Sequence, residues 1–445
     1  MGAYAKAKEL GREAVLEKID SLGICETGVY REKMTDHLKA AEEAAAKEGE
    51  ELCLVAALNN ADTDCVFLEL VKKDPEKIIE GCAIAAIAAG TEKAALVLPE
   101  KEEELAASLR EKAAPYGVEV RNEFINIRRN ACNALIHLAA CADLADAFND
   151  CYVPGIYVSV NGGELQKLPE EKKISELADL SEAKAVQVGY RYFTAEECEA
   201  SLGQLYPANG MIRVLTQKDC IVDDTQKKLH QSRTQSCGKC VFCREGLIQL
   251  EFMQTEITAG RGKGEFADLT KEIGEAMCYS TPCSMGQQCA GIALSAMGKF
   301  PDEYEAHIKK KSCPAGVCKA FIRIYVDPSD CTGCGDCLDV CPKNCIEGKP
   351  KYIHMIDEID CDRCGKCVEA CEEECIHITT GKVPKLPDRL TKVGKFKKKR
   401  HCEKAFFPAG PPGKEITGRL CGKAGDHDKG HRRRYGGRAG AEAPL

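Results

Sequence analysis

Several features that would place a 445-residue chain in a common class are missing from this one. Its opening stretch, MGAYAKAKELGREAVLEKID, is charged from the first turn and has no apolar segment, so no export leader is expected. The longest apolar runs, such as GCAIAAIAAG at 81–90, are about half the length that a bilayer span requires, so no membrane helix is expected either. The body of the chain also lacks positive charge. The formal net charge is −8, yet roughly 18 lysines and arginines against about 6 acids fall in residues 381–445, which leaves the remainder near −20. A surface that acidic repels nucleic-acid phosphates and excludes that class of partner. No hydrolytic or acid–base constellation stands out. His37, His137 and His377 occur singly on patterned segments and read as packing or surface residues.

What the chain has is cysteine, 29 in all. Small disulfide scaffolds are much shorter than this, so the thiols point to metal in a reducing compartment, and a cytoplasmic protein of an anaerobe is expected. The order of patterned segments predicts a multidomain α/β and α+β chain. Residues 1–150 alternate helix and strand: two Ala/Glu/Lys-rich helices, ELCLVAAL as a buried strand, DPEKIIEGCAIAAIAAG as a capped helix, KAALVLP as a strand, EKEEELAASLREKAAPYG as a helix and VEVRNEFINI as a strand. Residues 151–222 read as short strands around one helix, 223–311 as a helical bundle with cysteines at its helix ends, and 312–380 as a cysteine-dense unit with an internal repeat. The basic tail, 381–445, has no periodic apolar face and is expected to be disordered.

The repeat carries the strongest chemistry. CTGCGDCLDVCP supplies Cys331, Cys334, Cys337 and Cys341; CDRCGKCVEACE supplies Cys361, Cys364, Cys367 and Cys371. C-x2-C-x2-C-x3-C wraps a [4Fe–4S] cube with three ligands while the fourth cysteine reaches the other cube. One cluster is therefore assigned to Cys331, Cys334, Cys337 and Cys371, the other to Cys341, Cys361, Cys364 and Cys367. A pair of zinc knuckles is the rival reading, but four cysteines this crowded suit a cube better than a tetrahedral ion. Pro342 follows Cys341 as the ferredoxin pattern asks, whereas Glu372 replaces the second proline. Cys345 and Cys375, at equivalent places in the repeats, read as small buried fillers. In AHIKKKSCPAGVC, His307, Cys313 and Cys318 have the donor types and gaps of a structural zinc site, with His354 and Cys345 also within reach along the sequence. No fourth ligand is evident, and a free-thiol linker is the alternative.

SCGKCVFCREG (236–246) sets Cys237, Cys240 and Cys243 at a pitch that wants one more thiolate, with Cys278, Cys283 and Cys289 as candidates. Together with PCSMGQ (282–287), this stretch resembles the iron–sulfur bundle of the flavin-binding, 51 kDa-type subunit of NADH dehydrogenases. It is more similar still to the β subunit of electron-bifurcating hydrogenases and related NAD(P)-linked complexes, in which a two-cluster ferredoxin follows the bundle. The resemblance implies Cys283 as the fourth ligand with Cys237, Cys240 and Cys243. It also implies a flavin- and NADH-binding type of α/β domain at 1–150, a small β-grasp-like (SLBB-type) domain at 151–222, a helical [4Fe–4S] bundle and a bacterial-ferredoxin-like domain.

The chain departs from those relatives where they hold FMN. Their glycine-rich phosphate loop corresponds to GICETGVYREKM (23–34), with only two glycines and added bulk and acid. NNADTDCVFLEL keeps Asn60, Ala61 and Asp62 but loses the Glu-Pro-Gly loop, and RRNACNALIHLAACADLADAF replaces a glycine-rich segment with a Glu-Glu pair. FMN is therefore expected to be absent. The expected role is an iron–sulfur electron-transfer subunit of a multi-subunit, cytoplasmic anaerobic oxidoreductase, a hetero-oligomer with flavoprotein, hydrogenase or dehydrogenase subunits or a ferredoxin as partner. A working NAD(P)H-oxidising FMN subunit and a redox-sensing or assembly factor are the alternatives.

Overall fold

The computed structural model describes residues 2–125 and 133–396. The N-terminal part runs through α1 (Ala3–Ser21), a hairpin of β1 (Cys25–Glu26) and β2 (Glu32–Lys33), and α2 (Met34–Glu48). β3 (Cys53–Ala57), α3 (Leu68–Lys73), α4 (Pro75–Ala89), β4 (Ala94–Leu98), α5 (Glu103–Ala113), β5 (Val118–Asn122), β6 (Asn133–His137) and α6 (Leu138–Phe148) follow. The four longer strands form a wholly parallel sheet in the order β5-β4-β3-β6. Leu54, Ala56, Leu96 and Leu98 face the helices, while Val55, Ala57, Ala95 and Val97 bury on the other side with Ile125 and Leu135. Both faces are thus apolar, which explains why these strands read as continuous hydrophobic runs.

α4 starts on Asp74, whose carboxylate accepts from the Lys77 N–H at 3.1 Å, and stops at Gly90 in the left-handed conformation (φ 74°). It is buried nearly all round because α1, α3 and α6 surround it. Gly81 sets the closest crossing: a Cβ there would lie 1.8 Å from the Cys141 carbonyl oxygen of α6.

β7 (Ile156–Val160), β8 (Gln166–Leu168), β9 (Ala183–Val188), β10 (Arg191–Phe193) and β11 (Met211–Thr216) form a mixed sheet in the order β10-β9-β11-β7-β8. The helix expected within 151–222 is not formed; 3₁₀ turns at Ile174–Glu176 and Glu197–Glu199 stand in its place. The reason is tertiary. Ile174 is fully buried and gives its N–H to the Ala200 carbonyl at 3.3 Å, so the backbone that could have started a helix is committed across the loop.

The bundle comprises α7 (Ile221–Gln235), α8 (Val241–Thr258), α9 (Phe266–Ser280), α10 (Ser284–Gln288), α11 (Gly291–Lys299) and α12 (Pro301–Ile308) around one apolar core. After it come β12 (Arg323–Val326), α13 (Asp336–Asp339), β13 (Ile346–Glu347), β14 (Met355–Ile356), α14 (Lys366–Glu369) and β15 (Ile376–Thr379). β12 pairs with β15 and β13 with β14, both antiparallel. The repeat is visible in the hydrogen bonds: Asp327 N to Cys375 O at 2.7 Å is matched by Asp357 N to Cys345 O at 2.8 Å. Likewise Leu338 N to Gly335 O and Val368 N to Gly365 O are both 2.8 Å.

The expected tail does not begin at 381. Lys392 bridges Tyr352, Ile353 N donates to Thr391 O at 2.9 Å, and Phe396 packs on the core of the repeat unit. Residues 397–445, with the rest of that reading, lie outside the described part, as do 126–132 at the end of the expected strand VEVRNEFINI.

Candidate iron–sulfur and metal centres

The Cys331 and Cys361 repeats each build a small cavity. One is lined by Cys331, Cys334, Cys337 and Cys371, with Cys375 and His354; the other by Cys341, Cys361, Cys364 and Cys367, with Cys345 and Ile324. The exchange of the fourth cysteine between repeats is therefore present in the geometry. α13 and α14 carry Cys337 and Cys367 inward, each entered through a glycine at positive φ, Gly335 (114°) and Gly365 (80°). Four thiols around one small space, outnumbering the single carboxylate at each wall, Glu373 or Asp362, are a donor set for an iron–sulfur cube. Cys345 Sγ lies 3.5 Å from Cys341 Sγ, and Cys375 Sγ 3.4 Å from Cys371 Sγ. These two residues touch the ligand sulfurs, a contact that their reading as fillers did not anticipate.

In the bundle, the loop between α7 and α8 presents Cys237 exposed, Cys240 half-buried at the head of α8 and Cys243 buried one turn further. Burial pushes the Cys243 thiol up to about 11, with Cys283, Cys240 and Cys237 adding to the rise and the Ser236 hydroxyl opposing it. All four cysteines of the first set are thus neighbours. Cys283, at the head of α10, is raised by burial and opposed by the N–H groups of Gly286 and Met285 and by the Asn60 side chain. Cys289 is also buried beside Cys243 and Cys283, with its Sγ donating to Met285 Sδ at 3.3 Å, and Cys278 stands near Arg191 and Glu275.

A further centre is made of Cys220, His307, Cys313 and Cys318, all buried, with ligand atoms within 4.8 Å of one another. Cys220 Sγ is 3.3 Å from His307 Nε2 and 3.6 Å from Cys318 Sγ, and Cys318 Sγ is 3.5 Å from the same nitrogen. His307 Nδ1 donates to the Glu303 carbonyl at 2.8 Å, which fixes the tautomer and leaves Nε2 free to ligate. Hydrogen bonds from Cys220 and Cys318 hold Cys313 well toward the thiolate. Three sulfurs and one imidazole at this separation suit a tetrahedral zinc. Cys220 escaped the sequence reading because it caps α7 far upstream, where no spacing links it to the other three. His354 and Cys345 are not at this centre; each lies against a cysteine of the repeat unit, His354 Nδ1 at 3.2 Å from Cys337 Sγ.

A crevice lies at the carboxyl ends of β3 and β6, where the strand order reverses. Residues 23–34 form the β1–β2 hairpin there instead of an open glycine loop. The buried Glu26 carboxylate accepts from Gly28 N at 2.5 Å and from His137 N, at the start of α6, at 2.7 Å. These two backbone N–H groups, one at the start of α6, are thus taken by the chain's own carboxylate. His137 is more than packing: its Nε2 meets buried Asp62 at 3.1 Å, and Asp62 also accepts from the Asn59 N–H and the Tyr190 hydroxyl. His37 bridges Glu32 and the Leu135 carbonyl, and His377 lies against Tyr325.

Residues 225–307 match the profile of the NADH-ubiquinone oxidoreductase-F iron–sulfur binding region, and residues 323–372 that of a 4Fe-4S dicluster domain. The chain carries both iron–sulfur modules. It is 36% identical over 171 residues to the NADP-reducing hydrogenase subunit HndC of Solidesulfovibrio fructosivorans, a match covering 38% of this chain and 34% of that protein. It is 28% identical over 97 residues to the mitochondrial NADH-ubiquinone oxidoreductase 51 kDa subunit of Neurospora crassa, covering 22% of this chain and 20% of that protein. The matched stretch thus spans about a third or less of these relatives. A crystal structure of an NAD+-reducing [NiFe]-hydrogenase in the H2-reduced state superposes with a TM-score of 0.59 at 17% identity, over 69% of this chain and 66% of that one. That likeness is one of fold. Among the described residues no helix is long and apolar enough to cross a membrane.

Proposed function

We propose that this chain conducts single electrons inside a multi-subunit, cytoplasmic oxidoreductase, with flavoprotein, hydrogenase or dehydrogenase subunits or a ferredoxin as partner. The observation that carries the reading is the convergence of three separate sets of four cysteines, two of them on one twofold-repeated unit. Three [4Fe–4S] clusters bound there would supply one-electron transfer at low potential. In this reading Cys237, Cys240, Cys243 and Cys283 hold one cluster; Cys331, Cys334, Cys337 and Cys371 the second; Cys341, Cys361, Cys364 and Cys367 the third. Each set has one exposed member, Cys237, Cys334 or Cys364, where a partner's redox centre can approach. The remaining cysteines keep water from the other sides.

The same reading makes Cys220, His307, Cys313 and Cys318 a structural zinc site that pins the bundle to the unit after it. Residues 151–222 serve as a β-grasp-like (SLBB-type) module, and residues 1–150 as a retained scaffold that no longer holds FMN. Glu26 supports the last point, since its carboxylate already occupies the two backbone donors.

A second reading has its own observation. A cavity of about 550 Å3, lined by Asn59, Asn60, Asp62, Lys101, Cys237 and Lys239 among others, opens between the sheet ends and the first cysteine set. It is large enough for a flavin ring system, and an FMN-dependent NAD(P)H oxidase would use such a space. Iron, zinc and acid-released flavin measured on one anaerobically purified sample separate the two. About twelve irons, about one zinc and no flavin support the wire. One FMN per chain moves the conclusion to the second reading, and iron near a single cluster's worth sinks both.

A further inference from the structure

The two cavities of the repeat unit correspond residue by residue under a shift of thirty positions, as Cys331 to Cys361 and Cys345 to Cys375 show. Val326 in one cavity wall answers Ile356 in the other, and Ile376 answers Ile346. The accessory thiols also correspond, Cys375 on Cys371 and Cys345 on Cys341, so whatever they donate to the sulfurs is the same on both sides. Three wall positions break the correspondence, one of them Glu373, which lines the Cys331 cavity where the Cys361 side has Lys343. Where the Cys361 cavity has Ile324, the Cys331 cavity has His354; where the Cys361 cavity has Asp362, the Cys331 cavity has Thr332.

His354 is placed with care. It is 2% exposed, its Nδ1 lies 3.2 Å from Cys337 Sγ, and its Nε2 has no partner among the described residues. A neutral imidazole carries one N–H, and with the ligand sulfur as the neighbour that accepts, the proton belongs on Nδ1. Gly348 makes room for the ring, since a Cβ there would fall 1.7 Å from His354 Cδ2. Ile324, at the corresponding place, offers no donor.

Resting on the assignment of a cluster to each cavity, we infer that His354 is a potential-setting residue. Its Nδ1–H donates to the Cys337 sulfur and makes the cluster of Cys331, Cys334, Cys337 and Cys371 the easier of the pair to reduce. A hydrogen bond to a ligand sulfur stabilises the extra negative charge of the reduced state, and its absence on the Ile324 side leaves that charge less supported. For one electron shared between the two, the Cys361-side cube is oxidised by one electron as the Cys331-side cube is reduced by one, and no bond or proton is exchanged. The two repeats are thereby ordered, with the Cys331 side as the electron's resting place.

The test swaps the repeat's own residues. In the full chain purified anaerobically, His354→Ile should lower one of the two ferredoxin-type midpoint potentials in an EPR-monitored redox titration and leave the other two clusters where they were. Each tenfold change in how the electron divides reads as about 59 mV for a one-electron couple. Ile324→His should raise the other potential and narrow the gap. Unchanged potentials in both variants, or an equal shift of both clusters, overturn the inference. Wild-type protein labelled with 15N-histidine gives a reading that does not depend on a variant folding. Pulsed EPR should show a histidine nitrogen coupled to the higher-potential cluster of the pair, and no such coupling at either cluster overturns it. Iron analysis of the same samples stands apart: fewer than two clusters' worth in the repeat unit of the wild type refutes the assignment of clusters, not the role of His354.

Discussion

Replacing Cys220 with serine should empty the four-ligand centre while leaving iron in place. The side chain sits at the head of α7, with the other three ligands on α12 and the loop behind it. Those three lie close together in sequence, so a metal held by them alone closes only a short loop. Cys220 is what ties that group to a point roughly 90 residues earlier, and a cross-link over such a span restricts the unfolded chain by about 4–5 kcal/mol. Serine keeps the volume but removes the thiolate, and the buried Cys313, Cys318 and His307 then face one another without their fourth partner. Discounted for residual three-ligand binding, the loss should be on the order of 3 kcal/mol. For a unit of roughly 90 residues that lowers the bundle's transition by about 12–24 °C. The assay is zinc and iron by mass spectrometry on anaerobic protein after chelator treatment, with calorimetry on the same material. Cys198→Ala, equally buried in the mixed sheet but remote from the centre, is the control. A Cys220→Ser protein that keeps one zinc per chain, or a wild type full of iron and free of zinc, refutes the reasoning.

Cys371→Ala should cost the Cys331-side cluster at least one iron and give a three-iron EPR signal, whereas Cys375→Ala, which removes only a contacting thiol, should leave the iron count unchanged. Gly81→Ala gains about 1 kcal/mol of helix propensity but must push α4 off the Cys141 carbonyl by more than an ångström. Overpacking of that kind costs about 1–3 kcal/mol or more, so a lower melting temperature is expected and a higher one is the contrary result. Burial holds the Asp143 carboxyl up to about 6, against opposing pulls from Lys167 and Tyr157. Between the ordinary carboxylate range and pH 6 the folded chain therefore keeps a proton that the unfolded chain has released. This group's contribution is full at acid pH and is lost as pH rises through 6, a swing of roughly 3 kcal/mol. Asp143→Asn should remove that swing from the pH dependence of unfolding, and parallel profiles for the two proteins count against it.

The parts of the fold and site that were legible from sequence are those written in local spacing. The Asp74 cap, the Gly90 stop and the buried run between them specify α4 without reference to anything else, and each C-x2-C-x2-C-x3-C motif carries three cysteines of one set and the fourth of the other within eleven residues. What was illegible is held by long-range contact. Ile174 and Leu177 have helical spacing, but Ala200 takes the Ile174 N–H, and Leu177 closes only a 3₁₀ turn back onto the Ile174 carbonyl. Cys220 has no neighbour in sequence that marks it as a ligand. His354 invites comparison with zinc ligands because histidine and cysteine are counted together, yet the β13–β14 hairpin turns it into the repeat unit. Thr391 and Val393 lie in a stretch that is basic and without periodicity, and still pair their backbone with Lys351 and Ile353.

What the α/β layer does for the rest of the chain follows from what it touches. The segment after β3 is the seat of the bundle. Ala61 N donates to Ser284 Oγ at 3.3 Å, beside Cys283, and Asn60 reaches the Cys283 sulfur itself. Three residues after Ala61, Asp64 is paired with Lys228 of α7 at 2.8 Å, and Gln231 and Gln235 donate to the Thr63 carbonyl at 2.9 and 3.1 Å. Asp62, buried among them, would be costly without partners; with His137, Tyr190 and the Asn59 N–H around it, it joins the parallel sheet, the mixed sheet and the bundle at one point. A layer bound this way cannot be deleted without exposing the Cys283 side of the first cysteine set. Its place in the fold is thus fixed by the bundle contacts made from the segment after β3, whatever the 23–34 hairpin binds.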